Sequence, residues 1–155
     1  MILILKLEKI CGEALSLFNL AYALKSTQTD FEGNLYIQDQ LIIYTSDNCG
    51  ETWMARKTYN TDDLITVFDE FGNPQTIFND FVPTGNQENP GDWSQKTFSL
   101  NNVAGDEGVI IKFEFTGVGI AEDGINVGGN WLYIDNLRVG NFEEILEESK
   151  QESML

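Results

Sequence analysis

Residues 108–117 read GVIIKFEFTG, and their alternation settles the fold class. Val109, Ile111, Phe113 and Phe115 fall on one side and Ile110, Lys112 and Glu114 on the other, the period of two that a half-buried strand requires. One face meets a core and the other is at least partly wet. Upstream, WSQKTFSL (93–100) has the same character, and downstream NWLYIDNLRV (130–139) supplies a closing strand. ALSLFNLAYAL (14–24) is short, aromatic and free of Pro and Gly, which predicts a strand buried on most of both faces. LYIQDQLIIYTS (35–46) and WMARKTY (53–59) flank a turn-forming stretch and predict a hairpin. Several strands joined by polar turns, with little helix, predict an all-β fold: a sandwich of two antiparallel sheets over 1–140. An acidic tail over 141–155 is crowded by Glu143, Glu144, Glu147 and Glu148, and is expected to fray or dock weakly.

Residues 60–92 break the pattern. They contain all three prolines and read as a long excursion, with a helical turn near DDLITVF (62–68). At 155 residues with 42% hydrophobic content, the chain is long enough for one sizeable core and too apolar for disorder.

Charge and composition exclude several classes of function. A formal net charge of −16 repels phosphate backbones and anionic membrane surfaces, so nucleic acid is not an expected partner. No apolar run reaches the length of a membrane span. The chain has no histidine, which removes the His general base, the Ser-His and Cys-His nucleophile pairs and the HExxH zinc site. No enzymatic activity is expected. The many carboxylates and amide carbonyls are hard oxygen donors of the kind calcium takes, or serve solubility. Cys11 and Cys49 are too few for a four-cysteine zinc cluster, and a disulfide between them and two separate thiols are both open.

SDNCGETW (46–53) places Ser46, Asn48, Gly50, Thr52 and Trp53 in the S-x-D-x-G-x-T-W spacing of the Asp-box, with Asn at the Asp position. Asn tolerates left-handed backbone, Gly50 supplies positive φ, and Trp53 is expected to pack beneath, largely buried. Asp47 and Glu51 beside Cys49 disfavour a thiolate, so Cys49 belongs to a turn and not to a catalytic site.

LSLFNLAYALKS, DQLIIYTSDNCGETW, FVPTGNQENPGDWSQKTFSL, VIIKFEFTGVG and NWLYIDNLRV, in that order, resemble the jelly-roll modules of secreted Bacteroidota proteins. Such modules lie beside pappalysin-like metalloproteases and form the cleaved adhesin domains of gingipains, and they are similar in layout to animal MAM domains. The resemblance spans about residues 11–140. The first ten residues do not look like the usual first strand, and the excursion from Asn60 to Asp92 is longer than usual. The resemblance implies a non-catalytic binding or adhesion module of an exported multidomain protein. The chain is then part of a longer precursor, secreted or at the cell surface, with a protein or glycan ligand or none. It also implies structural calcium, with Asp135 and Asp39 the residues indicated. The loop acids Asp106, Glu122 and Asp123 match no EF-hand spacing. Trp93 and Trp131 are candidates for stacking on a sugar ring, should they be exposed together.

Overall fold

The computed structural model describes residues 2–6, 13–26, 32, 37–85, 89–117, 129–141, 143 and 145. Among the described residues seven strands make two antiparallel sheets, which form a β-sandwich. The strands are β1 (Ile2–Lys6), β2 (Ala14–Ala21), β3 (Gln40–Ser46), β4 (Met54–Asn60), β5 (Ser94–Ser99), β6 (Ile110–Thr116) and β7 (Tyr133–Asn141). One sheet has the order β1-β6-β3-β4 and the other β5-β2-β7.

The expected face of β6 is the buried one. Ile111 and Phe113 are fully enclosed, and Phe115 packs half-buried against the same core. Because cross-strand partners point to the same side, the pairs Ile43↔Phe113 and Leu41↔Phe115 carry this face onto β3. From the opposite sheet β2 contributes Phe18 and Leu20, and the chain just beyond it Tyr22 and Leu24. Phe18 meets Phe113 edge-on at 5.5 Å, with Tyr59 and Phe98 each at 6.2 Å, so both sheets converge on one ring. Edge-to-face rings at this spacing add about 0.5–1.5 kcal/mol to the burial of each pair.

The other side of the β2 segment is also covered, as the absence of polar alternation predicts. Ala21 and Ala23 lie beneath Val67 and Phe81 of the excursion, with Ile77, Trp93 and Tyr133 packed around them. The excursion is therefore a lid on the three-stranded sheet. It begins with one turn of helix, α1 (Thr61–Leu64), capped reciprocally by Asn60 and Asp63. It then docks through the hydrogen bonds Thr66 N to Tyr22 O and Ile77 N to Leu24 O.

Two further features were not read from the sequence. β1 lies antiparallel to β6 at the sheet edge, within the first ten residues of the chain. Leu5 faces the core, while Ile2 and Ile4 remain 61% and 56% exposed. An unbroken ILIL run has no period to read, and only the pairing with β6 decides which side is inward. In the tail, Ile145 is buried in the interior.

Tyr59 ties the sheets together, its hydroxyl donating to the Thr97 carbonyl at 2.9 Å. Burial, with Asp63 nearby, pushes its pKa up from 10.0 to about 12, and burial likewise raises that of Tyr22. An unfolded tyrosine ionises near pH 10 while the folded one keeps its proton until about pH 12, so this contribution to stability is complete below about pH 10 and disappears as pH rises through about 12. In an alkaline titration, part of the tyrosinate absorbance should appear only together with loss of near-ultraviolet circular dichroism. Full ionisation near pH 10 with the fold intact would contradict this.

Candidate functional site

The Asp-box-like stretch forms the β3–β4 turn as expected. Ser46 Oγ accepts from Gly50 N at 2.9 Å and donates to Asn48 Oδ1, which also accepts from Thr52 N at 3.0 Å. The Asn48 amide adds a donor that an Asp would lack, bonding Thr52 Oγ1 at 2.8 Å. The left-handed residues are Cys49 (φ 60) and Gly50 (φ 88), so the cysteine, not the asparagine, takes the unusual backbone. Cys49 is an exposed free thiol, and Cys11 lies outside the described residues. Trp53 is half-buried and not fully covered: it packs against Gly50, and Lys112 lies 4.8 Å from its ring and 4.3 Å from that of Tyr44. Tyr44, Trp53 and Lys112 are all half-buried. The motif holds a turn.

A different place has the form of a binding site. Where the chain enters β7, a groove of about 470 Å³ opens, lined by the apolar Phe115, Leu132 and Trp131 and by the charged Lys25 and Asp80. Its volume is in the range of small-ligand sites, about 300–1,000 Å³. Trp131 is 62% exposed, yet it is held: its indole Nε1 donates to Asp80 Oδ1 at 3.3 Å and its backbone N–H to Asn130 Oδ1 at 3.0 Å.

Asn130 is the post on which this is built. Its side chain is 6% exposed and uses both ends: Oδ1 accepts from Phe81 N at 3.0 Å, and Nδ2 donates to the carbonyls of Ile77 and Asn79 at 2.9 and 3.1 Å. One amide thus fastens residues 77–81 of the excursion to the start of β7. Tyr133 reinforces the joint, donating its hydroxyl to Phe81 O at 2.6 Å and stacking edge-on with the Phe81 ring at 5.9 Å. Asp80 lies within that fastened segment, so the carboxylate of the groove depends on a contact about fifty residues distant in sequence.

Below the groove lies Asp39, only 1% exposed. The Tyr22 hydroxyl donates to its Oδ2 at 2.6 Å. Burial first, and then this bond, raise the Tyr22 pKa, while a backbone hydrogen bond from Asn130 works the other way. Gly129, which lines the groove, lies so close that a Cβ built there would fall on the Asp39 carboxylate.

Asp39 and Asp135 are not brought together. Asp39 precedes β3 and is enclosed. Asp135 is exposed in β7, where its Oδ1 accepts from Asn136 N at 2.7 Å. Asn136 (φ 52) follows it in a bulge: Leu17 pairs with Arg138 but Asn19 with Asp135, so β7 uses one residue more than β2. That extra residue lets both Ile134 and Leu137 face the core. Among the described residues no three His, Cys, Asp or Glu side chains cluster, whereas calcium takes 6–8 oxygen ligands. Asp106 is exposed, and Glu122 and Asp123 lie outside the described residues. Trp93 is half-buried against the core beneath the excursion, which leaves Trp131 as the exposed tryptophan.

Asn130 and Asp80 were not singled out from the sequence, since neither belongs to a motif. The available signal was the polar Asn130 directly before an aromatic strand. Comparison of the chain with family models, with characterised proteins and with solved structures finds no match among any of them.

Proposed function

We propose that this chain is a non-catalytic binding module of an exported multidomain protein, and that it holds a saccharide in the groove at Trp131. The observation that carries the reading is a tryptophan both exposed and fixed. An exposed aromatic normally keeps side-chain freedom that binding would remove, but Trp131 is oriented in advance by Asp80 and Asn130. An aromatic face with convergent polar groups suits a ring whose faces are apolar and whose rim carries hydroxyls. The lack of histidine supports the non-catalytic part of the reading.

A glycan array probed with the native chain and with Trp131→Ala tests this. Binding to a defined set of glycans is expected for the native chain and lost in the variant. Stability should stay within about 0.5 kcal/mol, because the ring is at the surface. Equal array profiles for the two proteins would reject the site. Phe71 and Phe78, 81% and 74% exposed on the excursion, favour a second reading in which a protein partner docks there. Protein capture lost in Phe71→Ser or Phe78→Ser, with Trp131→Ala silent, would select it.

Calcium is a proposal resting on the sequence resemblance alone. If Asp135 holds it, calcium should raise the melting temperature over magnesium and chelator, and Asp135→Asn should abolish the difference. Equal melting temperatures in the three conditions would remove calcium from the reading.

A further inference from the structure

We infer that the Trp131 groove selects by charge, taking a short neutral saccharide and turning away uronate-rich and sulfated glycans. The inference rests on the saccharide reading above and specifies its ligand. Among the described residues lining the groove the charged ones are Lys25 and Asp80, one of each sign, so these residues present no net cationic clamp. An anionic sugar loses hydration on entering and needs charge-assisted hydrogen bonds to replace it, which a planar guanidinium or a group of lysines supplies. Here the described lining pairs one carboxylate with one ammonium, and the chain as a whole carries a formal charge of −16. Both the near field and the long-range field oppose a polyanion.

Neutral hydroxyls fit the same groups. A carboxylate has two oxygens with about four lone-pair sites. The Asp80 contact with the indole engages Oδ1 only, leaving acceptor capacity for a hydroxyl donor. Lys25 supplies N–H donors, and Gly117 and Gly129 line the groove without a side chain, so backbone polar groups are within reach of a ligand. Asn130 takes no part in reading the ligand, because its amide is spent on Phe81, Ile77 and Asn79. Asp80 is thus the specificity-determining residue and Trp131 the stacking platform.

The test is titration of the purified chain with short gluco-, xylo-, manno- and galacto-oligosaccharides, and in parallel with oligogalacturonate and heparin-derived oligosaccharides. Each is followed by calorimetry at low and at high salt. At least one neutral series should bind with an affinity that salt does not change, lowered about tenfold or more by Trp131→Ala and by Asp80→Ala. The anionic series should not bind the native chain, and Asp80→Lys, which makes both groove charges positive, should admit oligogalacturonate in a salt-sensitive way. Binding of an anionic series to the native chain, lost in Trp131→Ala, would overturn the charge selection while leaving the groove as the saccharide site. Absence of binding by every series, or binding indifferent to Trp131→Ala, would overturn both.

Discussion

Gly129→Ala is expected to lower stability by about 3 kcal/mol or more, far beyond what one methyl usually costs. The added carbon would coincide with Asp39 Oδ2 and stand 2.5 Å from the Tyr22 hydroxyl, and both side chains are enclosed, at 1% and 0% exposure. Either the backbone at Gly129 moves away, dragging Asn130 and the groove with it, or the Tyr22–Asp39 hydrogen bond of 2.6 Å breaks and leaves a carboxylate in the core. Chemical denaturation read by circular dichroism gives the number. A loss below about 1 kcal/mol would mean that the glycine backbone relaxes freely and that the close approach does not constrain the site.

Asn130→Ala should cost about 2–3 kcal/mol and also disorganise the groove. The substitution removes the acceptor of Phe81 N, in a residue 1% exposed, and the donor to two carbonyls. Water can reach the exposed Asn79 and the half-buried Ile77, so most of the cost comes from the buried Phe81 N–H. Asn130→Asp separates the contributions: it keeps the acceptor but turns an anion toward the carbonyls of Ile77 and Asn79, and should be about as damaging. The distinguishing readout is hydrogen exchange at residues 77–81, which should accelerate in both variants while the β3–β4 hairpin stays protected. Uniform acceleration over the whole chain would place Asn130 in global stability and not in a local joint.

The joint also marks the limit of what could be read beforehand. The alternation of β6, the enclosure of β2 on both sides and the hairpin at SDNCGETW were legible because each depends on neighbours within about ten residues, and pattern or turn chemistry suffices. β1 was not, because an unbroken apolar run has no face until a partner strand assigns one. The excursion was recognised as irregular, but its work as a lid over Ala21 and Ala23 depends on Val67, Phe81 and Trp93, which meet those alanines only in space.

The candidate site divides the same way. Asp39 is indicated in the sequence through the resemblance, but its contact with the hydroxyl of Tyr22, just beyond β2, is not legible there. Asp135, indicated on the same ground, is exposed beside a bulge in β7. The three tryptophans are equivalent as letters. Trp93 is half-buried beside the excursion, Trp53 packs against Gly50, and Trp131 faces solvent, held in place by Asp80. By itself, the sequence determined the all-β class, the main strand pattern and the lack of histidine chemistry, because composition and period are local properties. Which aromatic is exposed, and which polar groups converge beside it, was decided only by the tertiary structure, because exposure and convergence belong to pairs of segments that the chain brings together on folding.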